Sequence, residues 1–410
     1  MQEIKHGALT KTPAEIYDQT ADGNRLTDGV RNKRQIINAK SMIQQQSGAG
    51  CDVVHKIFAD QIAGVENLQN SLPFVKAVIR RHAKVPCIIL YDDQQMQDIL
   101  RFCCPLVTCL STVLSFDKTF NLGQANVTLA VYKNLSVYRR TTNKHPVFCE
   151  PMFLHWEPDV TTFFTFFHHL KGQMILSQGN ENQTLPVLGS DEEKAMRIAL
   201  AKAFPDTQRL ACVPHIEAKL LGFMQDKIGM LQNQRRQLKF QLFQLVTSAL
   251  DYIDLIDSLC DFESKITQKK LADHIKKRIH PLLVESKKAI QKPDLDNTNP
   301  LWMNNCCESG NHILKQAVSW KSQKLVDLIH KLHSVVQRQF KELRRALTDA
   351  GEFVLCPDFA KFKISRNVWL NLEQKQKLNK NIKNFHVHFS ELCPQQRWTK
   401  SIKRTKAWWT

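Results

Sequence analysis

Three acidic residues occur where the chain passes from an apolar segment or a polar loop into a new element. Asp117 lies at the end of a predicted strand, Asp191 ends another strand just before a helix, and Glu308 begins a helix after a polar loop. Neighbouring carboxylates repel one another unless a cation lies between them, and hard oxygen ligands suit Mg²⁺. Two such ions can activate water and stabilise a leaving oxygen in phosphodiester cleavage. The three acids therefore predict a site for two Mg²⁺ or Mn²⁺ ions.

Each acid taken alone also has a purely local explanation. Asp191 suits the N-cap of the helix that follows it, Asp117 suits a turn at the end of its strand, and Glu308 suits the first turn of a helix. These local roles stay open for each residue. The joint pattern favours the metal site, because the predicted sheet places the ends of the first and fourth strands side by side.

A second pattern is the Cys-Val-Pro-His segment that follows the last predicted strand, with Cys212 and His215 three residues apart. A Cys and a His at this spacing can share one metal ion, but structural zinc sites usually have four ligands and no second pair is evident. We therefore expect no structural zinc. Near the acids, His215 could contact a phosphate or the scissile strand. Alternatively, the two side chains simply pack at the strand end.

The elements that must position these residues follow the order of an RNase H-like fold. Predicted strands cover residues 111–120, 127–132, 146–156, 186–188 and 208–213, and predicted helices cover 161–174 and 192–204. In this βββαβαβ order, hairpins make the first three strands antiparallel and crossovers make the others parallel. The sequence therefore predicts an α/β protein with an RNase H-like core.

The segments on either side of this core are mainly helical in their pattern. Before the core, a helix is predicted at 71–82, a strand at 86–91 and a helix at 92–102. After the core, residues 216–292 and 311–347 have apolar residues at helical spacing. A break at 293–300 separates these two helical regions. We predict a polar lead-in (1–84), the first part of the core (85–215), an all-helical insertion (216–300), a helix that returns the third acid to the core (301–350) and a basic, aromatic tail (351–410).

Six segments together resemble the Mutator-like (MULE) DDE transposases, over about two thirds of the chain. They are FDKTFNLG (116–123), HPVFCEPMFLH (145–155), TTFFTFFHHL (161–170), VLGSDEEKAM (187–196), CVPHIEA (212–218) and NNCCESGNHILK (304–315). Each motif is weak alone, and the ordered set is specific. The resemblance implies an RNase H-like core interrupted by a helical insertion.

The resemblance also implies roles for individual residues. Asp117, Asp191 and Glu308 would be the three catalytic acids, and Cys212 and His215 would be the family's CxxH element. Glu217 competes with Glu308 as the third acid, but it falls too soon after His215. The implied partner is double-stranded DNA, both as transposon ends and as target. Because transposases usually pair two ends, a homo-oligomer is expected.

One feature departs from the family pattern. Such transposases commonly carry an N-terminal DNA-binding module, often a zinc-binding one. Before residue 85 this chain has only Cys51 and the scattered residues His6, His55 and His82, without ligand spacing. We therefore expect a fragment of an element or a copy retained by a host, and recognition of specific DNA ends is in doubt.

The charge of the chain is consistent with a polyanionic partner. It has 57 Lys and Arg against 39 Asp and Glu, a net charge of +18, and residues 309–410 alone have 20 against 7, or +13. Lys and Arg pair with phosphates, and aromatic rings stack on unpaired bases. The predicted DNA-binding residues are Lys361, Lys363, Arg366, Lys375, Lys377, Arg397, Lys403 and Arg404. The alternative is a solvated basic tail with some Trp packed on the core.

Composition also limits the compartment. The first 20 residues have no apolar signal segment, and the most apolar stretch, 102–116, is too short to span a bilayer. Twelve scattered Cys without a CxxC pair indicate reduced thiols. We expect a nuclear protein that does not enter a membrane. Three functions stay open: an active transposase, a catalytically inactive DNA-binding protein derived from one, and a structure-directed nuclease.

Overall fold

The computed structural model describes residues 51–81, 84–104, 111–178, 187–191, 193–291, 295, 299 and 301–371. The chain divides into two units, Met1–Gly64 and Val65–Thr410. Of the first unit only part of helix α1 (Cys51–Ser71) is described. All further description concerns the second unit.

The second unit is built on a mixed seven-stranded sheet. Its strands are β1 (Val75–Arg81), β2 (Lys84–Leu90), β3 (Leu114–Thr119), β4 (Asn126–Lys133), β6 (Val147–His155), β7 (Val187–Ser190) and β8 (Gln208–Ala211), in the spatial order β1-β2-β6-β4-β3-β7-β8. Neighbours from β1 to β3 are antiparallel, whereas β3, β7 and β8 are parallel. Strand β5 (Val137–Arg139) pairs separately with β9 (Phe353–Leu355). The predicted α/β class is confirmed.

Helices cover the sheet and form one large insertion. They are α2 (Asp93–Phe102), α3 (Val160–Gln178), α4 (Lys194–Ala203), α5 (Val213–Phe223), α6 (Gln232–Ser248), α7 (Tyr252–Ser264), α8 (Lys269–His274), α9 (His280–Ile290), α10 (Asn305–Ala317), α11 (Leu325–Ala346) and α12 (Arg366–Leu370). π turns continue α5 over Met224–Ile228 and α8 over Ile275–Ile279. Among the described residues, no helix is both long and apolar enough to cross a bilayer.

The alternation of side chains along β3 separates the two faces of the sheet. Phe116 points into a cluster of aromatic rings, with its centroid 5.0 Å from that of Phe167 and 6.3 Å from that of Phe166, both on α3. Successive residues of a strand point to opposite faces, so the neighbouring Asp117 faces α10 instead. There Asn311 of α10 contacts it. The apolar residue of the pair thus determines the face on which the acid lies.

Two of the predicted helices are wrong, for different reasons. Residues 75–81 of the predicted helix 71–82 form strand β1, in which Val75, Ala77 and Ile79 recur at the period of two that suits a strand pairing with β2. The predicted single helix 311–347 is two helices, α10 and α11. The chain turns between them, where Ser319 and Trp320 have φ values of 53° and 59°. Left-handed residues end an α-helix.

The remaining predicted elements agree with the fold. The strands predicted at 86–91, 111–120, 127–132, 146–156, 186–188 and 208–213 correspond to β2, β3, β4, β6, β7 and β8. Pro151 lies within β6 at a bulge, where two residues of β6 oppose Ala130 of β4. A bulge does not require every backbone N–H of the ladder, so the strand continues past the proline. The residues predicted to be a helical insertion are helical, as α5 to α9, and pack around a second apolar core that includes Leu242, Leu259 and Ile275.

Glu150 of β6 has a carboxyl group that is buried in the core without a hydrogen bond. It is fully buried, and neither carboxyl oxygen has a hydrogen-bond partner. Burial first, and then the charge of the buried Asp98, raise its pKa well above the ordinary value. The folded state therefore holds Glu150 neutral, while the unfolded chain ionises it above about pH 4.3. Below that pH Glu150 is neutral in both states and does not oppose folding. As pH rises above it, the unfolded chain gains the charge that the folded protein excludes, and the free energy of unfolding falls.

Glu150→Gln should therefore stabilise the protein at neutral pH. Gln has nearly the same shape and needs no proton, and each pH unit above about 4.3 costs the parent roughly 1.4 kcal/mol until the raised pKa is reached. The difference in melting temperature between variant and parent should grow from pH 5 to pH 7. The control is Glu352→Gln, at an exposed glutamate, which should change stability by no more than about 0.5 kcal/mol. A variant no more stable than the parent at pH 7 would contradict the buried neutral acid.

Candidate functional site

The site is built where the parallel pairing of β3, β7 and β8 ends in register, while β3 itself continues to Thr119 along β4. In the ladders, Phe116 of β3 lies opposite Ser190 of β7, and Ser190 lies opposite Ala211 of β8. The next residues along the chain are Asp117 within β3, Asp191 just after β7 and Cys212 just after β8, in that order along one edge of the sheet. The sheet thus brings the two predicted aspartates together and places the start of the CxxH element beside them.

Asp117 and Asp191 interact strongly because they are close and partly buried. Burial, followed by the charge of Asp191 and a hydrogen bond with it, raises the pKa of Asp117 to about 7. Two contacts oppose this rise: the Lys118 backbone N–H donates to Asp117 Oδ1 at 2.7 Å, and Asn311 Nδ2 donates to Asp117 Oδ2 at 2.6 Å. Two carboxylates in one site cannot both ionise at low cost. The pair is therefore a place where a cation would lower the free energy.

Helix α10 and the residue at its N-cap, Asn304, bring four polar residues over this edge of the sheet. Asn304, Glu308, Asn311 and Lys315 are separated by four, three and four residues, so they lie along one stripe of the helix. Asn304 Nδ2 donates to Asp191 Oδ1 at 3.1 Å. The stripe thus contacts Asp191 through Asn304 and Asp117 through Asn311, and Glu308 lies between these two contacts.

The segment that leads into α10 is attached to the strand ends. Trp302 covers Gly189 of β7 so closely that a Cβ on Gly189 would lie 2.5 Å from the indole ring. The backbone N–H of Val213 donates to the Trp302 carbonyl at 3.0 Å, and the backbone N–H of Asn304 donates to Cys212 Sγ at 3.4 Å. These contacts determine where α10 begins after the helical insertion.

The acids line a common cavity of about 330 Å³. Its walls are Asp117, Lys118, Thr119, Phe120, Asp191, Glu193, His215, Glu308, Asn311 and Lys315. Lys118 Nζ pairs with Glu193 Oε1 at 2.7 Å, which neutralises that glutamate. Glu217, the competing third acid, instead lies 3.2 Å from Lys239 Nζ and does not line this cavity. The cavity therefore favours Glu308.

The CxxH element lies at the wall of the same cavity. His215 Nδ1 is 3.3 Å from Asp191 Oδ1 without a hydrogen bond, and ligand atoms of Asp191, Cys212 and His215 all lie within 4.8 Å of one another. That is close enough to share an ion. Burial raises the pKa of the Cys212 thiol, and a metal ion bound there would deprotonate it. Cys212 also accepts the backbone N–H of Asn304 at 3.4 Å, so its position suits packing at the strand end as well as metal binding.

Some residues of the site were not assigned a role from the sequence. Asn304 and Asn311 belong to a quoted motif, but their hydrogen bonds to Asp191 and Asp117 were not predicted. Their regular spacing around Glu308 was the available signal. Lys118 and Lys315 also line the cavity, and Lys118 follows Asp117 directly in a strand, where no periodicity distinguishes it.

The predicted DNA-binding residues lie away from these strand ends in the chain, and three of the eight are described. Lys361, Lys363 and Arg366 are exposed. Lys363 Nζ forms an ion pair with Asp349 at 2.5 Å, so part of its charge is already neutralised. The others lie outside the described residues: Lys375, Lys377, Arg397, Lys403 and Arg404. Contact of these eight residues with DNA stays a prediction.

Comparison with known proteins gives no further assignment. No model of a known protein family matches the chain, and a search of curated proteins finds no match.

Gly310→Ala should displace α10 from the sheet. A Cβ at Gly310 would lie 2.8 Å from Val131 Cγ1 and 2.9 Å from Leu129 Cδ2, so the helix must move away from β4. We expect a loss of about 1–3 kcal/mol in stability from this overpacking, measured by chemical denaturation.

The matched control is Gly222→Ala in α5, where a Cβ meets nothing within 4 Å. Because Ala is the better helix former, this change should be neutral or stabilising by up to about 1 kcal/mol. Equal effects of the two substitutions would mean that α10 does not pack closely on β4.

Proposed function

We propose that this protein is a Mutator-like DDE transposase, which cleaves DNA phosphodiester bonds with divalent metal ions and transfers the freed strand. The observation that carries the proposal is that Asp117, Asp191 and Glu308 line one cavity at the ends of parallel strands. Carboxylates from separate elements that converge in a cleft form a functional-site candidate on physical grounds.

The strand order supports an RNase H-like core. Strands β3, β4 and β6 form an antiparallel meander, while β7 and β8 add in parallel on the other side of β3, giving the order β6-β4-β3-β7-β8. In this proposal β1 and β2 extend the core sheet at the β6 edge. The helices α5 to α9 are the insertion, and α10 returns the third acid.

The donors around the cavity fit Mg²⁺ or Mn²⁺. Asp117, Asp191 and Glu308 offer carboxylate oxygens, and Asn304 Oδ1 and Asn311 Oδ1 are buried atoms without hydrogen-bond partners. Carboxylate and amide oxygens are ligands that hard divalent cations prefer. Bound as a pair, such ions activate water and stabilise the leaving oxygen in an in-line displacement. The three acids would hold them, and the two asparagines orient the aspartates.

The chain's own residues would prepare the DNA for this reaction. Lys315, at the wall of the cavity, would contact a phosphate beside the scissile bond, whereas Lys118 is already paired with Glu193. Water would attack the phosphodiester at the transposon end, and the freed 3′-hydroxyl would then attack a phosphodiester of the target. Double-stranded DNA is the proposed partner, a homo-oligomer that pairs two ends is the proposed assembly, and the nucleus is the proposed compartment.

A catalytically inactive DNA-binding protein is the second candidate function. The observation in its favour is that the aspartates already have protein partners, since Asn311 donates to Asp117 and Asn304 donates to Asp191. In such a protein these contacts would stabilise the fold without metal. DNA binding that depends on salt but is not followed by metal-dependent cleavage would favour this function.

The acids can be tested by nicking of supercoiled and terminal-repeat DNA in the presence of Mg²⁺ or Mn²⁺. Asp117→Asn, Asp191→Asn and Glu308→Gln should each lower the cleavage rate by on the order of 10²- to 10³-fold or more, as expected when one group that stabilises transition-state charge is lost. Joined-strand products, separated by gel electrophoresis, would distinguish a transposase from a nuclease without strand transfer.

Glu217→Gln provides the matched control, because Glu217 pairs with Lys239 and does not line the cavity. It should cleave like the parent. If Glu217→Gln abolished cleavage and Glu308→Gln did not, the third acid would be Glu217. If the two aspartate variants cleaved like the parent, the metal site at this cavity would be wrong.

A further inference from the structure

One exposed aromatic ring lines the cavity that holds the acids, and a second lies beside a lysine of its wall. Among the described residues, the exposed large aromatic side chains are Phe120, Phe240 and Trp320, at 51, 65 and 62% exposure. Phe240 belongs to helix α6 of the insertion. Phe120 lines the cavity itself, and Lys315, another cavity residue, places its Nζ 5.8 Å from the centroid of the Trp320 ring. A single exposed ring is common on a protein surface, so what distinguishes Phe120 and Trp320 is their position beside the acidic cavity.

The backbone that presents these rings is held in an uncommon conformation. Asn121, directly after Phe120, has φ 65°, and Ser319 and Trp320 have φ 53° and 59°. Each non-glycine residue in this region costs about 1–3 kcal/mol and persists where surrounding contacts hold it. For Trp320 one such contact is its backbone N–H, which donates to the Lys315 carbonyl at 2.9 Å. The ring is therefore presented to solvent by a turn with a defined shape.

The two loops that carry the rings are attached to each other. Gln323 donates its backbone N–H to the Leu122 carbonyl at 2.9 Å, and Gly123 forms an isolated parallel bridge with Gln323. A Cβ at Gly123 would lie 2.9 Å from the Gln323 carbonyl oxygen, so the backbones are in close contact. Leu122 is two residues after Phe120, and Gln323 is three residues after Trp320. The two loops are therefore joined to each other, with Phe120 at the cavity and Trp320 beside Lys315.

Each ring is accompanied by a lysine. Lys118 Nζ lies 5.4 Å from the centroid of the Phe120 ring, and Lys315 occupies the corresponding place at Trp320. Lys118 is also paired with Glu193, so the Lys315 ammonium is the one that would meet a phosphate, and aromatic faces next to it suit a ligand that has flat rings and phosphates. Such alternation is the chemistry by which proteins bind single-stranded nucleic acid, whose bases have exposed π faces. A continuous duplex hides these faces in its stack.

We propose that Phe120 and Trp320 form a stacking platform for unpaired bases of the DNA strand whose phosphate enters the cavity. This inference rests on the proposed function for its ligand, since it names the state of the DNA that the site accepts. The strand would be frayed or flipped beside the scissile bond. Stacking would supply affinity that the acidic floor cannot, because the carboxylates repel phosphate until metal is bound.

The platform can be tested by binding without cleavage. The probes are a fluorescently labelled single-stranded oligonucleotide and a hairpin-closed duplex of equal length, titrated in EDTA at fixed salt and followed by anisotropy. Trp320→Ala and Phe120→Ala should each weaken single-strand binding by roughly 5- to 150-fold, the range for loss of one base–aromatic stack. Trp320→Phe should retain most of the affinity, and binding of the closed duplex should change little.

Phe240→Ala is the matched control, since it removes an equally exposed ring that does not line the cavity, and it should bind both probes like the parent. Unchanged single-strand binding in both alanine variants would overturn the platform, as would an equal loss for single strand and duplex. The result is separable from the proposed cleavage. If the parent protein binds single strands through Trp320 but never cuts DNA, the stacking platform stands and the proposed transposase activity is refuted. If Trp320→Ala cuts DNA with metal as fast as the parent, the transposase activity stands and the platform is refuted.

Discussion

The register of the three parallel strands is the constraint on which the site depends. The pairing of Phe116 with Ser190, and of Ser190 with Ala211, aligns the residues that follow them. A shift of one residue in β3 would exchange its faces, turning Asp117 toward the aromatic cluster of α3 and Phe116 toward the cavity. The packing of Phe116 against Phe167 at 5.0 Å opposes this shift. The apolar face of β3 therefore fixes the position of an acid on the other face.

The second requirement is that the chain returns to the same edge after the insertion. Residues between β8 and α10 form helices around a second apolar core, and α9 packs back on β8, where Ser286 Oγ accepts the Ala211 N–H at 3.0 Å. Two close contacts, each permitted by a glycine, bring the chain back. Trp302 packs on Gly189, and Gly310 allows α10 to lie against β4. Because both glycines lie within two residues of an acid of the cavity, the contacts that fold the protein also place those acids.

Much of the core could be predicted from the sequence, because its strands are apolar runs bounded by clear turns. The acids could be predicted because each follows or begins an element, and the sheet order makes their positions converge. Strand β1 could not be predicted, because its basic residues hide the alternation of apolar residues that is typical of a strand. Pairing with β2, which the sequence does not show, selects the strand. The end of α10 was missed for a similar reason. Ser319 and Trp320 are not residues that usually adopt a left-handed backbone, and the attachment of this turn to Leu122 is a tertiary contact.

Net charge alone does not describe the surface that a polyanion would meet. The chain has a formal charge of +18, but Lys118 is paired with Glu193 and Lys363 is paired with Asp349. Such pairs are weakly attractive to a distant phosphate, because the opposite charges largely cancel and salt screens what is left beyond a Debye length of about 8 Å. At the cavity the floor is acidic, so attraction there requires a cation, a lysine without an acid partner or a non-ionic contact. The aromatic rings beside Lys118 and Lys315 supply a contact of that last kind, and its strength does not depend on the ionic strength of the solution.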